Sequence, residues 1–136
     1  MLVVDDEKAL VTLLRYNLER EGFGVIDAGD GWGAIALVKE RRPDLILLDW
    51  MLPAISGIEV SRQIRRTPDC RGTPIIMLTG RSEEADKLLG FEVGVDDYIT
   101  KPFSPAEVIA RCRAVLRRSE PGSISKVICY DDLSVD

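Results

Sequence analysis

The chain has 136 residues, a typical length for one domain, and its composition of 46% hydrophobic and 30% charged residues indicates a globular protein. Its 18 basic and 23 acidic side chains give a net charge of −5, so its overall field does not favour nucleic acid, which requires clustered lysine and arginine. The absence of histidine from the sequence excludes serine–histidine and cysteine–histidine nucleophile systems, histidine metal ligands and a phosphohistidine carrier.

Five short apolar segments alternate with amphipathic segments along the chain. We predict strands at Leu2–Val4, Val25–Ala28, Leu45–Leu48, Pro74–Leu78 and Tyr98–Thr100, and helices over 7–21, 31–41, 57–66, 83–93 and 105–117. The third and fourth strands are continuously apolar, as is typical of parallel strands that are covered on both faces. This alternation predicts an α/β fold with an open, doubly wound, five-stranded parallel sheet and helices on both faces. The pattern leaves the strand order open.

Several of the predicted helices carry end signals. The first has leucines at helical spacing and is closed by Gly22. The third begins Ser56-Gly57-Ile58-Glu59 and the fifth begins Ser104-Pro105-Ala106-Glu107. Both stretches have the pattern of a capping box, the second with proline at the first helical position, and they support the predicted helix starts.

The rest of the chain bears on compartment and domain organisation. Three widely spaced cysteines, Cys70, Cys112 and Cys129, form no CxxC motif and favour a reducing, cytoplasmic location. No apolar run is long enough to span a bilayer, so we expect no membrane association. Residues 119–136 open with a linker-like Ser-Glu-Pro-Gly-Ser stretch, and we expect a linker followed by the start of a second domain.

The residues at the ends of the predicted strands carry most of the chemistry. Asp5 and Asp6 follow the first strand, Asp49 follows the third, Thr79 follows the fourth, and Lys101 follows the fifth. Ligands of an open α/β sheet bind where the carboxyl ends of its strands meet. We therefore expect three carboxylates, a hydroxyl and an ammonium group at one edge.

Three neighbouring carboxylates repel one another unless their pKa values rise or a cation binds. Oxygen ligands without cysteine or histidine favour Mg²⁺ or Mn²⁺ over zinc. Because Mg²⁺ commonly shares its coordination sphere with a phosphoryl group, one carboxylate can be the nucleophile that forms an aspartyl phosphate, with Thr79 and Lys101 on the phosphoryl oxygens. Alternatively, Asp5 and Asp6 cap the first helix and Lys101 is an ordinary loop lysine. The four strand ends taken together favour the phosphorylation site.

These residues resemble those of a known family. Over residues 1–118 the chain is similar to the receiver domain of bacterial two-component response regulators, through the motifs Val3-Val4-Asp5-Asp6-Glu7, Asp44-Leu45-Ile46-Leu47-Leu48-Asp49 followed by Met51-Leu52-Pro53 and Gly57, Leu78-Thr79-Gly80, and Lys101-Pro102-Phe103. Asp49-Trp50-Met51-Leu52-Pro53, Gly94-Val95-Asp96-Asp97-Tyr98 and Ser104-Pro105-Ala106-Glu107 resemble the winged-helix (OmpR/PhoB-like) subfamily. The tail 130–136 is similar to the start of that subfamily's DNA-binding domain.

The resemblance implies a flavodoxin-like strand order of 2-1-3-4-5 and a Mg²⁺-dependent phosphorylation site. It implies that Asp49 accepts a phosphoryl group from a sensor histidine kinase. Asp6, Asp49 and the backbone carbonyl of Met51 are implied as direct ligands of Mg²⁺, with Asp5 acting mostly through water and with Mn²⁺ as a substitute metal. The implied protein catalyses only its own phosphorylation and dephosphorylation and has no external substrate.

The resemblance also implies contacts to the phosphoryl group. Lys101, Thr79 and the backbone N–H of Gly80 are implied to contact its oxygens. Tyr98 is implied to turn inward behind Thr79, and the peptide bond before Pro102 is implied to be cis.

A switching surface is implied at the fourth helix, the fifth strand and the fifth helix, where phosphorylation promotes homodimerisation. Its candidate residues carry both charges: Lys87, Glu92, Asp96, Asp97, Glu107, Arg111 and Arg113. The alternative is an ordinary solvated helix face with weak ion pairs. We expect binding to promoter DNA only through a C-terminal effector domain beyond this chain.

Other functions share parts of this pattern. A haloacid dehalogenase-type phosphatase requires a second aspartate two residues after the nucleophile, where this chain has Met51. An FMN-binding flavodoxin requires a phosphate-binding loop after the first strand, where Asp5 and Asp6 would repel phosphate. A degenerate receiver, which binds other proteins without being phosphorylated, has no need of Mg²⁺, so Mg²⁺ affinity distinguishes it.

Overall fold

A computed structural model describes residues 1–80 and 91–119 of the chain. In chain order its elements are β1 (Leu2–Val4), α1 (Lys8–Arg20), β2 (Ile26–Ala28), α2 (Gly31–Arg41), β3 (Ile46–Asp49), α3 (Gly57–Arg66), a short 3₁₀ helix (Pro68–Cys70), β4 (Ile75–Thr79), β5 (Asp97–Thr100) and α4 (Pro105–Ser119). Helix α4 is the fifth predicted helix. Most of the fourth, residues 83–90, lies outside the described residues, and Phe91 and Glu92 are helical.

The strands form where the sequence predicts them, with small shifts in their ends. β3 and β4 each run one residue further than predicted, so that Asp49 and Thr79 are the last residues of their strands. Sheet pairing continues past these positions, because the Trp50 N–H donates to the Leu78 carbonyl at 3.0 Å and the Lys101 N–H donates to the Thr79 carbonyl at 2.7 Å. The backbone at the predicted site is therefore fixed by the sheet.

The five strands pair in parallel in the order β2-β1-β3-β4-β5. This confirms the predicted doubly wound fold and the strand order that the resemblance implied. Strands β1 and β3 are neighbours at the point where the order reverses, which is the position where an open α/β sheet binds its ligand.

The two faces of the sheet are buried in two hydrophobic cores, because successive residues of a strand point to opposite faces. One core contains Leu2, Val4, Ile46, Leu48, Ile75 and Met77 of the strands, packed against α2 and α3. The other contains Val3, Leu47, Ile76, Leu78 and Ile99, packed against α1 and α4. This two-sided burial explains why β3 and β4 are continuously apolar.

Two serines cap helix starts, and a glycine follows a helix end, as predicted. The Ser56 hydroxyl accepts from the Glu59 N–H at 3.3 Å and the Ser104 hydroxyl accepts from the Glu107 N–H at 3.1 Å, which confirms the capping function of both serines. Gly22 ends α1 with a φ of +94°, a left-handed conformation that favours glycine.

None of the helices in the described part of the chain is both long and apolar enough to cross a membrane. Helix α4 extends one residue beyond the predicted domain boundary at 118 and ends at Ser119. The predicted linker and second-domain start, residues 120–136, lie outside the described residues.

Candidate functional site

The candidate site lies at the carboxyl ends of β1, β3, β4 and β5. Asp5 directly follows β1, and Asp49 is the last residue of β3, the neighbouring strand. The carboxylates of Asp5, Asp6 and Asp49 each offer an oxygen within 4.8 Å of the others. The structure therefore brings together the three predicted acidic residues at the reversal point of the sheet.

Asp5 and Asp49 are buried carboxylates that share one cation. They are 3% and 5% exposed, and the Lys101 ammonium lies 3.3 Å from an oxygen of each. Asp6 is exposed, so the cluster has one open side. Two buried negative charges against one partly exposed ammonium leave an excess of negative charge, which attracts a further cation.

The titration of the cluster reflects this imbalance. Burial and the neighbouring Asp5 raise the pKa of Asp49, and the opposite charge of Lys101 offsets this increase only in part. Burial opposes the charge of Lys101, but the carboxylates of Asp49 and Asp5 outweigh it and raise the pKa of the ammonium group. Lys101 is therefore a permanent positive charge of the site near neutral pH.

The cluster fits Mg²⁺, because its donors are carboxylate oxygens and hard cations prefer oxygen ligands. The backbone of Met51 is at the same edge, where its N–H donates to the Asp49 carboxylate. The Met51 side chain is 64% exposed beside the cluster. Whether the Met51 carbonyl is a metal ligand stays a prediction.

The alternative in which Asp5 caps the first helix is not confirmed, because the N–H that Asp5 accepts belongs to Glu7, the residue before α1. One oxygen of Asp5 accepts from the Glu7 N–H at 2.9 Å, which orders the turn before α1, while its other oxygen faces Lys101. Glu7 itself is the N-cap residue of α1. Asp5 thus serves the local turn and the cluster at the same time, because a carboxylate has two oxygens with different directions.

Gly57, the first residue of α3, allows the close approach that holds the end of β3. Its N–H donates to the Trp50 carbonyl at 2.9 Å. A Cβ atom at this position would clash with the carbonyl oxygen of Asp49 and lie 3.0 Å from the Cα of Trp50. The sequence identified Gly57 as part of a motif, but this reason for a glycine depends on a contact between two elements.

The hydroxyl and the ammonium group come from adjacent strands. Thr79 is fully buried at the end of β4 and pairs with Thr100 of β5, the residue before Lys101. The Lys101–Pro102 peptide bond is cis, as the resemblance implied. Gly80 follows Thr79 on the exposed surface of this edge, and the predicted contact of its N–H with a phosphoryl group stays a prediction.

An aromatic row extends from Asp49 toward the surface. Trp50 is 5% exposed, and its ring centroid lies 6.2 Å from that of Tyr98, which is 7% exposed. The ring of Phe91 meets Tyr98 edge to face with a centroid distance of 5.2 Å. Tyr98 therefore lies inward beside Trp50, and its turn behind Thr79 on phosphorylation stays a prediction. Phe91 was not singled out from the sequence, because its contact with Tyr98 depends on the course of the turn between them.

The candidate dimer residues do not form one uniform surface. Arg111 of α4 donates to both oxygens of Asp97 at 3.1 Å and to Glu107 at 3.3 Å, so these three residues lie together. Arg113 instead pairs with Glu21 at 2.6 Å, beyond the end of α1. Residues two positions apart on a helix point to different sides, so the assignment of Arg113 to the same surface was wrong.

The other candidates differ in position. Asp96 is paired with Arg65 of α3 at 3.0 Å, before the start of β5. Glu92 is exposed, and Lys87 lies outside the described residues.

The sequence is similar to known response regulators over the residues that form the site. Residues 1–113 match the response regulator receiver domain family. The chain is 53% identical over 133 residues to the alkaline phosphatase synthesis transcriptional regulatory protein PhoP of Bacillus subtilis (strain 168), covering 98% of this chain and 55% of that protein. It is 49% identical over 134 residues to the phosphate regulon transcriptional regulatory protein PhoB of Rhizobium meliloti (strain 1021), covering 98% of this chain and 59% of that protein.

A solved structure has the same fold. The receiver domain of the Francisella response regulator 1452 superposes with a TM-score of 0.80 at 34% identity, covering 88% of this chain and 97% of that one. The chain spans just over half the length of the PhoP and PhoB relatives. The family match includes the three acidic residues, Thr79 and Lys101, and these relatives confirm the predicted OmpR/PhoB-like subfamily. The chain therefore belongs to the response regulator receiver domain family.

Proposed function

We propose that this chain is the phosphorylation-activated receiver part of a two-component transcriptional regulator and that Asp49 is its phosphoacceptor. The observation that carries the proposal is the position of Asp49 at the end of β3, buried beside Asp5 and 3.3 Å from the ammonium of Lys101. A carboxylate fixed in this way has an open side toward Asp6, from which a phosphoryl donor can approach.

The reaction transfers a phosphoryl group from a phosphohistidine of a kinase. A carboxylate oxygen of Asp49 attacks phosphorus, an O–P bond forms, and the P–N bond breaks as the imidazole nitrogen leaves with the electron pair and takes up a proton. Lys101 balances the charge on the phosphoryl oxygens. Attack of water on the acyl phosphate later releases phosphate and restores the carboxylate, so the chain acts only on itself.

Asp5, Asp6 and Asp49 would hold Mg²⁺ or Mn²⁺ together with the Met51 carbonyl. The bound ion supplies positive charge to the oxygens of the transferring phosphoryl group. The chain's own residues prepare this arrangement, because the Glu7 N–H and Lys101 fix the two oxygens of Asp5. Asp49 is likewise held by Lys101 and by the Met51 N–H.

The response to phosphorylation follows from the neighbours of Asp49. The Thr79 hydroxyl and the Gly80 N–H donate to the new phosphoryl oxygens, which draws the end of β4 toward the site. Tyr98 packs against Trp50, the residue after the phosphoacceptor, so the change reaches the β5–α4 surface. There, Asp97 and Arg111 offer both charges for symmetric pairing of two copies.

The names of the relatives support the role of the whole protein. PhoP and PhoB are transcriptional regulatory proteins and are longer than this chain, which matches only part of each. The partners of the whole protein are accordingly a sensor histidine kinase, a second copy of the chain, and promoter DNA through a separate effector domain.

Incubation with acetyl phosphate, with and without Mg²⁺, followed by intact mass measurement tests the proposal. We expect a Mg²⁺-dependent phosphoryl adduct that Asp49→Asn lacks and that Asp44→Asn, a control at an exposed carboxylate, retains. An adduct that persists in folded Asp49→Asn would overturn the assignment of the phosphoacceptor. No adduct despite Mg²⁺ binding would restrict the chain to direct transfer from a kinase, whereas no adduct and no Mg²⁺ binding would favour a degenerate receiver.

A further inference from the structure

All five N–H donors of the Arg65 guanidinium group form hydrogen bonds. Arg65 is in α3, and its acceptors precede β4 and β5, at the opposite end of these strands from the acidic cluster. Its Nε and Nη2 donate to the carbonyl of Gly94 at 3.0 and 2.6 Å, and its Nη1 donates to the carbonyls of Arg71 and Thr73 at 3.0 and 2.6 Å. Its Nη2 also donates to Asp96 at 3.0 Å. An arginine has five N–H donors, so this side chain is fully committed.

These bonds lie at the start of β5, one of the two edge strands of the sheet. β5 has four residues and pairs only with β4. At its amino end the Asp96 N–H donates to the Ile75 carbonyl, and an Asp96 oxygen accepts from the Ile75 N–H, both at 2.8 Å. Arg65 donates to this same oxygen of Asp96. Arg65 therefore contacts the residue at which the pairing of β5 with β4 begins.

Arg65 also holds the turn that precedes β5. The Gly94 N–H donates to the Phe91 carbonyl at 3.1 Å, and Gly94 has a φ of +100°. A Cβ atom on Gly94 would lie 2.7 Å from the Nε of Arg65, so the close approach of the guanidinium requires a glycine. The Phe91 ring at the start of this turn lies edge-on to Tyr98.

We propose that Arg65 is a positioning residue of the phosphorylation switch, which sets the places of Tyr98 and Lys101 relative to Asp49. The proposal rests on the function proposed above. Tyr98 is the second residue of β5 and Lys101 directly follows the strand, so a displacement of the strand start moves both side chains. Loss of the turn would in addition remove Phe91 from Tyr98.

Three variants separate positioning from stability. Arg65→Lys keeps the charge but loses the planar set of donors, which a lysine cannot reproduce. Arg62→Lys is the matched control, because Arg62 lies on the same helix and pairs there with Glu59. Leu18→Val reduces packing in the core on the other face of the sheet, and it reports the effect of lowered stability alone.

All variants are compared in a Trp32→Phe background, in which Trp50 is the remaining tryptophan of the chain. The first measurement is the initial rate of adduct formation from acetyl phosphate with Mg²⁺. The second is the fluorescence emission of Trp50, which contacts Tyr98 and reports on its place. Because small displacements of reacting groups have large effects on rate, we expect Arg65→Lys to lower the rate by about tenfold and to shift the emission, with both controls within about twofold of the parent rate.

An unchanged rate and emission spectrum in Arg65→Lys would overturn the proposal. An equal loss of rate in Leu18→Val would also overturn it, because lowered stability would then explain the effect. If the parent protein neither forms an adduct nor binds Mg²⁺, the proposed function fails instead, and the emission of Arg65→Lys separately shows whether Arg65 places Tyr98.

Discussion

Replacement of Asp49 by asparagine should stabilise the metal-free protein near neutral pH. The carboxylate oxygens of the acidic cluster lie within 4.8 Å of one another, where two unit charges repel by about 3.5 kcal/mol at an effective dielectric constant of about 20. The ammonium of Lys101, 3.3 Å away, attracts Asp49 by about 5 kcal/mol under the same conditions. These two values alone favour the charged form, but loss of hydration on burial is the largest cause of the raised pKa of Asp49 and outweighs the difference. Removal of the Asp49 charge should therefore raise the free energy of unfolding by on the order of 1 kcal/mol.

The sign of the pH dependence follows from the pKa of Asp49. Burial and Asp5 raise this pKa, so the folded state binds the proton more tightly than the unfolded state. The ionised carboxylate therefore lowers stability above the folded pKa. This penalty disappears as the pH falls through the folded pKa toward the ordinary value of 3.8.

Urea unfolding followed by circular dichroism in EDTA, at a series of pH values, measures the difference between Asp49→Asn and the parent. Asp44→Asn controls for loss of an exposed carboxylate, and it should change stability little. Added Mg²⁺ should reverse the order, because the parent gains binding free energy that the variant lacks. An Asp49→Asn protein that is less stable than the parent near neutral pH in EDTA would refute the electrostatic reasoning.

Three further predictions concern buried groups. Gly57→Ala should lower the free energy of unfolding by about 1–3 kcal/mol, because the new Cβ clashes with the backbone at the end of β3. Gly72→Ala is the control, because no atom lies within 4 Å of its new Cβ. Equal urea midpoints for the two variants would contradict this prediction. Ser61→Ala should raise the free energy of unfolding by about 1 kcal/mol, because the buried Ser61 hydroxyl has no hydrogen-bond partner among the described residues. A lower free energy of unfolding in urea would instead show that the hydroxyl has a partner. Folded Cys129→Ser protein should react slowly with Ellman's reagent, because its remaining thiols, Cys70 and Cys112, are buried and burial raises the pKa of Cys112 to about 12. Fast labelling without urea would show that these thiols are accessible.

Much of the fold could be predicted from the sequence because it depends on local patterns. Continuous apolar runs marked β3 and β4, and the serines before α3 and α4 marked the helix starts. The site followed from topology, since parallel strands of a doubly wound sheet place their carboxyl ends at one edge. Asp5, Asp49 and Lys101 could thus be grouped before any distance was known.

What the sequence could not predict depends on contacts between distant segments. Arg65 has the appearance of an ordinary surface arginine of an amphipathic helix until its acceptors on Gly94 and Asp96 are seen. The orientation of Arg113 likewise depends on where the end of α1 lies relative to α4. Such positions are set by packing angles, which local propensity does not determine.

Borohydride trapping identifies the residue that carries the phosphoryl group, which we place on Asp49. Borohydride reduces an aspartyl phosphate to homoserine, so peptide mapping after treatment with acetyl phosphate and Mg²⁺ identifies the modified residue. We expect homoserine at position 49 in the parent, and no homoserine in Asp49→Asn or when Mg²⁺ is removed. Homoserine at Asp5 or Asp6 in the parent, with Asp49 unmodified, would overturn the assignment of the phosphoacceptor.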